Sequence, residues 1–415
     1  TDQTGYRSAS DYGEPRFSAE AVSFRGADSG SMEVSVSYKF FYDALSYQKT
    51  AEGYQADYEL AFVLNNDNDK QIDGQIKEGS IKVATYGETK RSSDFVINLI
   101  KFSVPEQDAT ILATLTDRLS GNKLEAKIKI DDRKYWGEFP ALSGILFARE
   151  VLPTDENSKF NRPVGRVIPR VIRLFRTDSD SLITFYQEIY PGKGNEDYAS
   201  FITRIYHRTK GFVYADTIKH GELKEMVRDV REVKIASLAP GDYEFEVRLE
   251  GRRGKLYSKV VEPIEIELTA ESAFRNDYKT AVEMLKYLAT HEEMKKLEKA
   301  KTPEEQRRLW DEFWKQRNAD SRTEEHPTQE EYFRRIRHTN RYFSVMKREG
   351  WKTTRGMIYI TYGQPDEIDD HPFDLAEKPY QTWTYYKLNP PRTFLFIDRW
   401  GDGNYELQPP YDGRN

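Results

Sequence analysis

The chain has 415 residues, 38% hydrophobic and 32% charged, with a formal net charge of −6 from 63 Lys and Arg against 69 Asp and Glu. At roughly 100–200 residues per domain, that length predicts two to four domains. The charge is dispersed without a basic stripe, which disfavours nucleic acid as a partner, and the absence of cysteine excludes disulfides, thiol nucleophiles, iron–sulfur clusters and Cys-based zinc sites.

No apolar run approaches the roughly 20 residues that span a bilayer, so membrane association is expected only through partners or a processed anchor. The sequence opens at Thr1 without Met, which suits a signal peptide already removed and an extracytoplasmic location. Residues 1–14 are polar and rich in Ser, Thr and Gly, the composition of an arm or a frayed end.

From Phe17 the pattern turns strand-like. In Met32–Phe40 the apolar residues fall at every second position, the period that puts one face in a core. Similar runs at Tyr58–Leu64, Ile81–Tyr86, Phe95–Ile100, Ile111–Leu115 and Leu124–Ile130, the last two joined by Ser120-Gly121-Asn122, predict a β-sandwich over 15–134. Runs at Leu142–Val151, Val164–Phe175, Leu182–Tyr190, Phe201–Ala215, Tyr243–Leu249 and Lys255–Leu268 predict a second, immunoglobulin-like sandwich over 135–269, with an edge hairpin opened by Ala239-Pro240-Gly241-Asp242.

At Glu271 the period lengthens. Tyr278, Val282, Leu285 and Leu288, then Leu309, Trp310, Phe313 and Trp314, recur at helical spacing, and Thr302-Pro303-Glu304-Glu305 marks a helix start. The expectation is an α+β domain over 270–415, with helices in 271–348, including Gln329–Arg348, and antiparallel strands in 356–408, including Met357–Tyr362, Gln381–Tyr386, Thr393–Ile397 and Tyr405–Leu407. The fold class is therefore mainly β plus α+β.

Within that region, Gly350-Trp351-Lys352-Thr353-Thr354-Arg355-Gly356, followed by Met357 through Tyr362-Gly363-Gln364-Pro365-Asp366-Glu367, resembles the signature of the GWxTD domain, a family of bacterial exported proteins. The blocks Leu309–Arg317, Arg341-Tyr342-Phe343, Thr382–Tyr386 and Phe396–Gly403 resemble its helical portion and closing strands. Thr354 stands where the family has its Asp, which favours a structural role for the motif, since a threonine hydroxyl can still cap a turn. The resemblance implies a cell-envelope or surface setting and supplies no activity.

Two acidic stretches invite a chemical reading. Asp366-Glu367-Ile368-Asp369-Asp370-His371, with Asp374 beyond, could bind a hard cation or supply a carboxylate pair for glycosidic chemistry, but turn propensity and solvation explain it more simply. Asn65–Gly74, with Asp67, Asp69 and Asp73, has alternating oxygen donors like a calcium loop, yet no register supplies both the Gly and the Glu of an EF-hand. Calcium is thus a weak candidate and no other cofactor is indicated. His291-Glu292-Glu293-Met294-Lys295 carries Lys where a zinc motif needs its second His.

Aromatic residues make up 13% of the chain, and five of the six tryptophans lie from Trp310 onward. Trp310, Trp314, Trp383 and Trp400 could line a sugar-stacking groove or a protein interface, although core packing is the simpler use for most of them. The sequence favours a non-enzymatic structural or protein-binding subunit of a bacterial envelope or surface assembly, its partners being other envelope proteins or copies of itself. The alternative is a cell-wall carbohydrate binder or hydrolase that uses Asp366–Asp374 and the C-terminal tryptophans.

Overall fold

The computed structural model describes residues 15–91, 93–131, 134–194, 199–220, 223–320, 328–372 and 378–409. The chain divides into two compact units, 14–266 and 267–415. The expected arm at 1–14 and Asp374 lie outside the described residues.

The first unit opens with β1 (Phe17–Arg25), β2 (Ser31–Phe41), β3 (Gln48–Thr50), β4 (Gly53–Asn66), β5 (Gln71–Val83), α1 (Tyr86–Thr89), β6 (Phe95–Pro105), β7 (Ala109–Asp117) and β8 (Lys123–Ile130). One sheet has the order β1-β2-β6; the other runs β3-β4-β7-β8, with β5 also paired to β4. The alternation read in the sequence is the packing: Met32, Val34, Val36 and Phe40 meet Leu60, Phe62, Leu64, Ile111 and Leu115 in one core. The expected strand through Tyr86 instead stops at Val83, because Thr85 and Glu88 form a reciprocal capping box that starts α1.

A second sandwich follows with β9 (Ala141–Leu142), β10 (Leu146–Leu152), β11 (Asn161–Arg162), β12 (Gly165–Pro169), β13 (Leu174–Phe175), β14 (Leu182–Tyr190), β15 (Ala199–His207), β16 (Gly211–His220), β17 (Val227–Lys234), β18 (Gly241–Glu250) and β19 (Leu256–Ile266). Its sheets are β11-β12-β10-β14-β17, with β9 on β14, and β13-β19-β18-β15-β16. The run Phe201–Ala215 is a hairpin rather than one strand. The hairpin expected at an edge is interior, since β18 lies between β15 and β19; its buried Tyr243, Phe245, Val247 and Leu249 show why it needs cover.

The outward face of β1 is not solvated. Val22 and Phe24 pack with Leu146, Ala148, Val167 and Tyr186 of the second sandwich, and the Gly144 N–H donates to the Ser23 carbonyl at 2.8 Å. The two sandwiches therefore share a buried seam.

The second unit contains α2 (Ala270–Asn276), α3 (Tyr278–Met284), α4 (His291–Lys299), α5 (Pro303–Asp320), α6 (Gln329–Tyr342) and α7 (Thr354–Tyr362), then β20 (Glu367–His371), β21 (Tyr380–Tyr385), β22 (Arg392–Asp398) and β23 (Tyr405–Leu407), the strands forming one antiparallel sheet in chain order. Three expectations need correction. Met357–Tyr362 is the helix α7, capped by the Thr353 hydroxyl and ended at Gly363 with φ 79°. Its β-branched and aromatic residues are buried almost all round, a setting in which a continuous apolar run suits helix or strand alike. The helix expected to reach Arg348 stops at Tyr342, and the acids read as a loop form β20.

Candidate functional site

The Gly350–Gly356 segment is a knot of close backbone contacts. Trp351 is wholly buried, its N–H donating to Asn340 Oδ1 (3.1 Å) and its indole N–H to Glu349 Oε2 (3.1 Å). Lys286 and Lys352 place their ammonium groups 4.8 and 4.7 Å from the ring centre, a favourable approach of cation to aromatic face. Thr353 donates to the Gly350 carbonyl (2.7 Å) and accepts from the Gly356 N–H (3.0 Å). Gly350 and Gly356 are required by space, since a Cβ would lie 1.7 Å from the Thr339 oxygen and 2.0 Å from the Gly350 oxygen respectively.

Thr354 answers the question its substitution raised. Its hydroxyl donates to the Tyr405 carbonyl (2.8 Å) and accepts from the Leu407 N–H (3.2 Å), so it pins β23 to the start of α7. An Asp carboxylate could accept from Leu407 but not donate to Tyr405. Thr354→Val should therefore cost about 1–2 kcal/mol while Thr354→Ser costs little, measured by denaturant unfolding. Arg355, mostly buried, donates to Gln381 Oε1 and the Gly403 carbonyl and lies over the rings of Phe343 and Tyr405. Burial pulls its pKa down, against the support of Tyr405, Asp370 and Asp398.

The acids do not converge. β20 alternates, so Glu367, Asp369 and His371 share one face while Asp370 opposes Gln381 on the other. Asp366 accepts the Tyr386 N–H and pairs with Lys387 at 3.1 Å; burial, the largest single influence, pushes its carboxyl up, but these bonds together outweigh it and hold the pKa below the usual value. Glu367 accepts the Tyr386 hydroxyl, and Asp369 faces His371 at 2.9 Å. The 65–74 stretch is a hairpin turn in which Asn66 Oδ1 accepts the N–H groups of Asn68 and Lys70, with Asp67 and Asp69 exposed and Asp73 bonded to the Gly74 N–H. Among the described residues no three His, Cys, Asp or Glu side chains are grouped to hold a metal.

The tryptophans divide sharply. Trp310, Trp314 and Trp383 are 1–2% exposed and belong to the core, so none of them lines a groove. Trp400 is 82% exposed. It rides on a loop organised by Asp398, whose carboxylate accepts the N–H groups of Trp400 (3.2 Å), Gly401 (2.8 Å), Asp402 (3.2 Å) and Gly403 (2.8 Å). Gly401 and Gly403 have φ of 68° and 84°, which explains both glycines. Burial alone would raise the Asp398 pKa, but the four N–H donors bring it below the ordinary carboxylate value. Its anchoring is complete above the free carboxylate range and is lost as pH falls through the lowered value. Trp400→Ala should leave stability unchanged within about 0.5 kcal/mol, as thermal unfolding would show.

Sequence reasoning missed His338, which is stacked on Tyr359 with centroids 4.2 Å apart, and the charged and tyrosine-rich groups of the sandwich seam. His338 had a signal: with Phe333 and Ile336 it lies on the buried side of α6.

Residues 267–409 match the GWxTD domain family. No curated protein matches the sequence. Among solved structures, the red sea bream transglutaminase is 10% identical over 61% of this chain and 32% of its own, with TM-score 0.19. A chicken tenascin segment of two fibronectin type-III domains is 12% identical over 59% and 99%, with TM-score 0.16. A Bifidobacterium dentium β-glucuronidase is 9% identical over 56% and 40%, with TM-score 0.20. The chain thus spans 32% and 40% of the lengths of the two enzymes, and at these TM-scores the likenesses carry no argument about activity.

Proposed function

We propose that this chain, whose C-terminal third carries a GWxTD domain, is a non-enzymatic, protein-binding structural subunit of an extracytoplasmic bacterial envelope or surface assembly. The observation that carries the reading is Trp400: a large aromatic side chain in solvent, on a loop fixed by four hydrogen bonds. Pre-organised, exposed tryptophans are the residues on which protein interfaces concentrate their binding energy. The strand β16 adds support. It pairs only with β15 among the described strands and exposes Phe212, Val213 and Ile218, apolar area on an open edge that a partner can cover.

The carbohydrate alternative draws on the same tryptophan. The acids it would need are engaged elsewhere in the sheet: Asp366 pairs with Lys387, Glu367 accepts the Tyr386 hydroxyl and Asp369 faces His371, and the register sets Glu367 on the strand at the far edge of the sheet from the one that Trp400 follows. A photo-crosslinking amino acid at position 400, installed in the producing cells, separates the two readings. The protein-binding role predicts discrete protein adducts from position 400 and none from buried position 310. Adducts to glycan alone would contradict it.

A further inference from the structure

The seam between the two sandwiches holds an unusual charge arrangement. Glu20, on the outward face of β1, is 6% exposed. Arg173, in the link between β12 and β13, donates to it through Nε at 2.8 Å, and Arg173 Nη2 lies 2.6 Å from the same oxygen. The same guanidinium reaches Glu262 of β19 through Nη1 at 2.6 Å. Two carboxylates therefore share one cation in a largely buried place, and with both ionised the cluster carries an uncompensated negative charge away from water. In β2 Ser37 stands opposite Glu20, and among the described residues the charged groups that act on Glu20 are Arg173 and Glu262.

We propose that the Glu20–Arg173–Glu262 cluster is a proton-operated lock on the seam: uptake of one proton lets the two sandwiches pack tightly, and its loss loosens them. The chemistry is simple protonation, with the proton residing on Glu20 and the remaining charges, Arg173 and Glu262, neutralising each other. Burial is the largest influence on Glu20 and raises its pKa to about 7; Arg173 opposes this and Glu262 adds to it. A carboxyl raised in this way stabilises the docked state fully below its free value, about 4.5, and that contribution fades as pH climbs through about 7. The seam is therefore tight in mildly acidic solution and looser in alkaline solution. This inference does not depend on the identity of any partner.

Amide hydrogen exchange on the full chain tests it at two reporters. The Gly144 N–H bonds the Ser23 carbonyl, and the Arg25 N–H bonds the Tyr190 hydroxyl at 3.0 Å, both across the seam. After correction for intrinsic rates, their protection should fall about tenfold between pH 6 and pH 8, the effect of the roughly one pH unit that separates pH 6 from the midpoint. Glu20→Gln, which imitates the protonated acid, should keep high protection at both pH values. Glu262→Gln, which leaves Glu20 alone with Arg173, should move the transition to lower pH. The pKa of His207 is lowered, first by burial, and subtracting the Glu20→Gln profile removes any contribution it makes. Protection that is independent of pH in the parent chain, or an equal decline in Glu20→Gln, would overturn the proposal.

Discussion

Replacing Gly350 by Ala is expected to remove about 4 kcal/mol from the stability of the C-terminal unit, enough to unfold a marginal domain. The new Cβ would stand 1.7 Å from the Thr339 oxygen and 2.9 Å from the Asn340 Cα. Neither neighbour can yield cheaply. The Thr339 carbonyl accepts the Phe343 N–H at 2.8 Å and closes the last turn of α6. Gly350 is itself held by its N–H bond to Ser344 Oγ at 2.9 Å. Moving it would also displace the oxygen that Thr353 uses to cap α7 and would withdraw Trp351 from its pocket. Urea unfolding followed by tryptophan fluorescence reads this directly, because five of the six tryptophans lie in this unit. A loss below about 1 kcal/mol would mean that the glycine is not held by this contact.

The second large effect is a dependence on acid. His338 is buried in α6 against Tyr359, Tyr342 and Phe343. Burial foremost, then the positive charges of Arg334 and Arg341, press its pKa from 6.5 down to about 3. The imidazole is therefore neutral in the folded unit across the physiological range. A group depressed in this way contributes fully above its free value and loses that contribution as pH falls from about 6.5 toward 3. By pH 4 the loss is on the order of 3 kcal/mol, at 1.36 kcal/mol for each pH unit. Calorimetry should show the transition of the C-terminal unit moving down steeply between pH 6.5 and 4, and His338→Gln should flatten that slope. An unchanged slope in the variant would assign the acid sensitivity to other groups.

The sandwiches were legible because alternation is a direct image of packing. In β2 the residues Met32, Val34, Val36 and Phe40 are all wholly buried, as their period-two spacing implies. Helix α7 was not legible from periodicity, since Met357–Tyr362 is apolar or aromatic at every position but Thr361 and its burial carries no clear period. Its punctuation was present in Thr353 and Gly363, which cap it at either end. The GWxTD segment was recognised as a motif, but its role depends on backbone approach distances and on a strand 51 residues downstream of Thr354, which spacing alone does not encode. The acids were read as one cluster for a related reason: sequence adjacency hides that, once β20 is a strand, Asp370 parts from Glu367 and Asp369 to the opposite face. The seam network was invisible because Glu20 and Arg173 are 153 residues apart, and a buried carboxylate in an otherwise ordinary strand leaves no local mark.

The claim on which the functional account rests is that the chain works as a fixed component of a larger protein assembly. The most direct measurement is gentle extraction from the producing cells, followed by native-size analysis and quantification of what co-migrates. The account predicts a discrete species larger than the 48.6 kDa chain, with envelope or surface proteins in constant ratio, and a return to smaller species for Trp400→Ala. A lone monomer, unaffected by that substitution and carrying only bound glycan, would contradict it.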